Sequence, residues 1–157
     1  MSDRLMYRVY DKQEKLYINN IGIWRNCWMA YDLDLPENYY DTFEETPNIV
    51  SGFDDSICVE ITDRFVVEQC TGLKDKNGKL IFVGDRVLDT MVNLTFVYYY
   101  GNIEHTVISK FTGEKTKVKV TCFYQVYDGV EEDKVLPMEH VIPEKEYLII
   151  GNIHEVN

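Results

Sequence analysis

Histidines, cysteines and paired carboxylates are the side chains of this 157-residue sequence that could do chemistry. Nucleophilic catalysis needs a serine or cysteine beside an oriented base. His105, His140 and His154 stand in unrelated contexts, and no serine or cysteine lies in a Gly-x-Ser-x-Gly or papain-like setting. The histidines therefore read as surface or hydrogen-bonded structural residues. Cys27, Cys58, Cys70 and Cys122 make no Cys-x-x-Cys pair and have no histidine at ligand spacing, so no zinc site is expected. They read as thiols, mostly buried. Glu44-Glu45 and Asp54-Asp55 pair carboxylates that could serve hydrolysis or a hard cation. No D-x-D-x-D-G loop surrounds them, and they read as solvated acidic loop. The glycines at 72, 78 and 84 lack the strand–loop–helix setting and the Gly-Lys-Ser/Thr end of a phosphate loop, and read as turns. The expectation is a protein that is not an enzyme, with no catalytic residue, metal or cofactor.

Charge points to binding instead. The net charge is −11, and residues 26 to 63 hold ten acidic residues and no lysine or arginine. Aromatics interleave with those acids, and aromatics are enriched at protein interfaces. Tyr31, Asp32, Asp34, Tyr39, Tyr40, Asp41, Glu44 and Glu45 are accordingly the candidate partner-binding residues, on a surface suited to a basic protein. The competing reading packs these aromatics, and the loop with them, onto the C-terminal barrel and leaves the charges to keep it soluble. An acidic chain is a poor ligand for the phosphate backbone, which is held by lysine and arginine. A local exception is the set Lys110, Lys115, Lys117 and Lys119 around Gly113, which gives the alternative of a nucleic-acid-binding accessory protein.

The elements that must position these residues read as strands. Aromatics make up 13% of the chain, with twelve tyrosines, and tyrosine favours strands. Residues 6–10 and 16–23 read as a hairpin across the polar turn at 11–15. Residues 32–56 read as irregular, with Pro36 able to open a short helix through Tyr40 and Phe43. A single strand is expected over 57–67. Asn77-Gly78 marks a hairpin turn, followed by strands at 80–83 and from Arg86. Val92, Leu94, Phe96, Tyr98 and Tyr100 alternate, and Gly101-Asn102 is expected to turn the chain. Residues 103–111 run back, 112–114 turn again, and 116–127 give the clearest alternation. There Val118, Val120, Cys122, Tyr124 and Val126 share one face, and Lys117, Lys119, Thr121 and Gln125 the other. A last strand at 146–154 is interrupted by Gly151-Asn152. The fold class is mainly β, a β-dominated α+β protein with a small C-terminal barrel over 70–157. Residues 1–69 form a β-rich, partly irregular N-terminal region containing the acidic insert 26–63.

Two motifs and the N-terminal stretch carry a resemblance. Residues 71 to 87, TGLKDKNGKLIFVGDRV, resemble the T-G-L-x-D-x-x-G-x-x-I-x-x-G-D-x-V pattern of the YopX family of phage and prophage proteins. Ile149 to Glu155, IIGNIHE, resembles that family's I-G-N-I-x-E ending, and Tyr7 to Lys12 its F-R-x-W-D-K opening, with Tyr10 where tryptophan is common. The resemblance implies a phage or prophage origin, an SH3-like barrel in the C-terminal part, and no known activity. The partner would then be a host or phage protein. Within the motifs Gly72, Asp75, Gly78, Gly84, Asp85, Gly151 and Asn152 read as architecture. The glycines would permit tight turns, and Asp75 and Asp85 would each bond their own downstream amides. Leu73, Ile81 and Val87 would face the barrel interior. With no apolar leader or spanning stretch in the sequence, the expected location is the host cytoplasm, away from membranes. A barrel edge could pair two copies, although Lys117 and Lys119 argue against it.

Overall fold

The computed structural model describes residues 6–30, 36, 38–39, 49–51, 57–129, 136–137 and 146–155. Every regular element among them is a strand, apart from isolated helical turns, so the mainly β class holds. None of the described helical residues belongs to a helix long and apolar enough to cross a membrane. The chain separates into two compact units, Met1–Cys70 and Thr71–Asn157.

The first unit contains β1 (Tyr7–Asp11), β2 (Leu16–Trp24), β3 (Cys27–Ala30), β4 (Ile49–Ser51), β5 (Ile57–Glu60) and the start of β6 (Phe65–Lys74). These strands run antiparallel in the order β4-β5-β3-β2-β1-β6. The expected first hairpin forms because Asp11 Oδ1 accepts the amides of Gln13 and Glu14 at 2.9 and 3.2 Å, while Lys15 takes the left-handed conformation. A second turn with Arg25 left-handed adds β3, which the sequence does not announce with a glycine. The single strand expected over 57–67 is two strands. Thr62 stops it, accepting the amide of Phe65 on its carbonyl and that of Arg64 on its hydroxyl. Of the expected helix from Pro36 through Phe43, only Pro36, Asn38 and Tyr39 are described, joined by one Tyr39 N–H to Pro36 carbonyl bond.

A bulge sets the core of this unit. Tyr7 pairs with Ile21 and Val9 with Ile18, so β2 holds one extra residue between the two pairs. That insertion shifts the alternation by one, which turns Leu16 and Ile18 and then Ile21 and Ile23 toward the same side. They pack with Val9, Trp28, Tyr39, Val59 and Phe65. Trp28 meets Phe65 edge-on at 5.5 Å.

The second unit contains the end of β6, β7 (Leu80–Phe82), β8 (Asp85–Asp89), β9 (Leu94–Ile108), β10 (Lys115–Tyr127), β11 (Leu136–Pro137) and β12 (Tyr147–Asn152). β7 pairs with β6, and the remaining strands form an antiparallel sheet in the linear order β11-β10-β9-β8-β12. Ile81, Val87, Phe96, Tyr98 and Tyr147 make its core, with Leu73 packed against them. Phe96 stands edge-on to Tyr98 and Tyr147 at 5.0 and 5.2 Å.

Gly101-Asn102 does not turn the chain: Gly101 pairs with Cys122 and Asn102 with Thr121 inside one continuous ladder. Val92 belongs to the β8–β9 turn, which Asp89 holds by accepting the Met91 amide at 2.9 Å.

Candidate interaction surface

Only four residues of β9, Leu94 to Val97, pair with β8, and only Tyr124 and Gln125 of β10 pair with β11. Beyond them β9 and β10 pair with each other alone among the described residues, from Tyr100–Phe123 to Ile108–Lys115. The result is a two-stranded ribbon closed by the turn 109–114. Ser109 secures that turn: its hydroxyl accepts the amides of Phe111 and Thr112 at 3.3 Å, and its carbonyl accepts that of Gly113 at 2.9 Å. Gly113 has φ +70°, a conformation that costs a residue with a Cβ about 1–2 kcal/mol. With the backbone thus fixed, the Phe111 ring is fully exposed.

Strand alternation gives the ribbon two different faces. One carries Ile103, His105 and Val107 opposite Val120, Val118 and Thr116, continuing inward to Gly101, Cys122, Tyr99 and Tyr124. Most of this face is half-buried, and Tyr99 stacks on Tyr124 at 5.6 Å. The other face carries Lys115, Lys117, Lys119 and Thr121 along β10 opposite Ile108, Thr106, Glu104 and Asn102. It ends on Tyr100 and Phe123, whose rings lie 4.9 Å apart, and Tyr100 keeps half of its surface in solvent. Between residues 101 and 121 four lysines face two glutamates, a local excess of positive charge in a chain of net charge −11. Lys117 Nζ is 4.0 Å from Glu104, both well exposed, a separation worth little in water.

The acidic candidates fall elsewhere. Tyr31, Asp32, Asp34, Tyr40, Asp41, Glu44 and Glu45 lie outside the described residues. Tyr39 is described, and it is not a surface residue. It is 2% exposed, packs in the core of the first unit, and donates its hydroxyl to Asp11 Oδ2 at 2.6 Å. Asp11 also receives Arg64 through Nε at 2.9 Å and Nη2 at 2.6 Å. Burial alone would push the Asp11 carboxyl up, but the hydrogen bonds from Arg64 and Tyr39 outweigh it and hold the group below the usual carboxylate range. Burial and the Asp11 carboxylate push the Tyr39 hydroxyl far above its ordinary value. The sequence offered no sign of this triad, because its members come from three separate segments.

The architectural motif residues converge in the second unit. Gly72, Gly78 and Gly84 all have positive φ. Asp75 Oδ1 accepts the amides of Asn77 and Lys79, at 2.9 and 3.0 Å, and Oδ2 that of Ile149 at 3.3 Å. Asp85 accepts the Phe82 amide at 2.8 Å. Its turn lies before it, at residues 83–84. Asn152 accepts the His154 amide and donates to Glu155, while the Ile153 amide bonds the Gly84 carbonyl at 2.9 Å. A Cβ on Gly151 would lie 2.5 Å from the Glu155 carboxylate, the far end of an exposed side chain that can swing aside. The long motif and the C-terminal motif therefore hold each other's backbones.

No group of three or more metal-ligating side chains occurs among the described residues. Cys27, Cys70 and Cys122 are thiols rather than half-disulfides. Gln125 donates to the hydroxyls of Tyr98 at 2.7 Å and Tyr147 at 3.4 Å and accepts from Tyr127 at 3.4 Å, which satisfies a tyrosine cluster that burial has shifted upward. Sequence reasoning found the lysines of the ribbon but missed Tyr100, Phe111 and Phe123. The false turn at Gly101-Asn102 concealed that Tyr100 shares a face with them.

Comparison with known proteins gives one family. A family model described as YopX protein matches residues 6–157. None of the curated proteins searched matches the chain. Among solved structures, the crystal structure of protein EF1440 from Enterococcus faecalis is 18% identical, covering 95% of this chain and 92% of its own, with a TM-score of 0.38.

Proposed function

Starting from a chain that belongs to the YopX family, we propose that it is a phage- or prophage-encoded, cytoplasmic interaction protein that grips a macromolecule with its β9–β10 ribbon and performs no reaction of its own. The supporting observation is that no residue between Tyr99 and Phe123 belongs to either hydrophobic core cluster. The same stretch nevertheless displays Tyr100, Val107, Ile108 and Phe111 to solvent. Exposed apolar side chains gathered on one element mark contact sites. The second unit is read as an SH3-like module with the ribbon as an elongated hairpin. Support for that comes from the consecutive antiparallel strands β8, β9 and β10, with β12 returning beside β8.

The test uses the whole protein and a variant with residues 103–120 replaced by a two-residue hairpin turn, each as bait in host lysate. Retained protein and nucleic acid are both measured, at low and high salt. A partner held by the wild type and lost by the shortened variant is the expected result; equal retention overturns the proposal. A second reading keeps the acidic segment as the contact, on the ten acidic residues between 26 and 63. It predicts that reversing the charges of Asp32, Asp34, Asp41, Glu44 and Glu45 releases a basic protein partner, with the ribbon intact.

A further inference from the structure

We infer that the ligand of the ribbon is a single-stranded nucleic acid, its phosphates along Lys115, Lys117 and Lys119 and its bases on Tyr100–Phe123 and Phe111. The inference rests on the ribbon being the contact element and adds the chemical class of what it contacts.

Three features of the ribbon carry it. First, the lysines occupy alternate positions of β10, and the register puts all of them on the face that also holds Thr121 and Phe123. Alternate residues of a strand are roughly 6.8 Å apart, a spacing comparable with that of neighbouring phosphates on a strand. Second, aromatic rings stand at both ends of the lysine row. Phe111 is fully exposed at the turn, and the tilted Tyr100–Phe123 pair lies at the inner end with half of Tyr100 in solvent. Third, the polar side chains between them, Asn102 and Thr121, are exposed and can contact sugar or base edges. From Lys115 to Phe123 the strand covers roughly 27 Å, the reach of a few extended nucleotides.

A cationic track flanked by stacking rings is the arrangement that binds single strands without sequence preference. A duplex would offer phosphates to the lysines but keep its bases stacked inside, leaving Phe111 and Tyr100 in water. Glu104 works against the ligand: it faces Lys119 across the ladder and lies 4.0 Å from Lys117.

Fluorescence anisotropy of a labelled oligothymidine of roughly 15 nucleotides, with the full-length protein, tests the assignment. The expected result is saturable binding whose logarithm falls with log salt at a slope of about −2, close to −0.7 for each of three lysines. K115A/K117A/K119A flattens that slope and weakens binding at least about tenfold. Phe111→Ala and Tyr100→Ala each weaken binding about tenfold and leave the slope unchanged. Glu104→Gln tightens it. All of these side chains are exposed, so thermal melts should match the wild type. No saturable binding at about 50 mM salt, binding that survives the triple substitution, or a duplex bound as tightly as the single strand overturns the inference. If the oligonucleotide fails while shortening the ribbon still releases a lysate partner, the nucleic-acid assignment falls and the ribbon reading stands. If shortening releases nothing, both fall.

Discussion

Asp11 has no exposed surface, and its two oxygens serve Arg64, Tyr39 and the amides of Gln13 and Glu14. Removing one partner of a buried ion pair strands the other, at a cost of about 3–5 kcal/mol. Asp11→Ala should destabilise the first unit by that order in urea unfolding. The same carboxyl sets a pH dependence. Its folded pKa lies below the ordinary 3.8, so its stabilisation is present above that value and is lost as pH falls through the lower, folded pKa. Acid titration of wild type and Asp11→Asn should show the wild type losing its advantage only below about pH 4. In the second unit, Asp75→Ala leaves the amides of Asn77, Lys79 and Ile149 without their acceptor and should cost about 1–3 kcal/mol, read from the shift in denaturant midpoint. The two aspartates differ in how readable they were. Two of the three Asp75 contacts lie within four residues, so a local Asx-turn argument finds them. Asp11 meets Arg64 53 residues away, and local reasoning has no access to that distance.

At the scale of elements, the ribbon should be a separable part of its sheet. Its two strands are paired with each other along its whole length, and its side chains between Tyr99 and Phe123 stand outside both core clusters. The shortened variant should therefore melt within a few degrees of the wild type. Hydrogen exchange should be fast at Ile103–Ile108 and slow at Phe96–Tyr98, where β9 has neighbours on both sides or packs in the core. A ribbon as protected as the core would contradict that separation. Strand alternation is legible in β10 because Lys and Val trade places at every step from Lys117 to Val120. The full length of β9 is not, because glycine and asparagine together are a strong turn signal. In the fold the ladder runs straight through them, because both residues have cross-strand partners in register. The bulge in β2 is equally hidden: Asn19-Asn20 interrupts an apolar pattern that the bulge, not a turn, reconciles.

For the whole molecule, charge and fold give two competing accounts of binding. The excess acid sits between residues 26 and 63, whereas the exposed aromatics and the local excess of lysine sit on the ribbon. Tyr39 is the one aromatic candidate of the acidic segment that is described, and it serves the core rather than a partner. That assigns at least part of the segment's aromatic content to packing. The family motifs carry architecture: Gly78 and Gly84 sit in turns, Gly72 and Gly151 lie within β6 and β12, and Asp75 ties β12 to its own loop.

The most direct measurement is a hydrogen-exchange footprint of the wild-type protein with and without the partner that it retains from lysate. The account predicts new protection concentrated at residues 100–123, with the lysine strand β10 slowed most. Protection confined to residues 26–63, with the ribbon exchanging as fast as in the free protein, would contradict it and transfer the contact to the acidic segment.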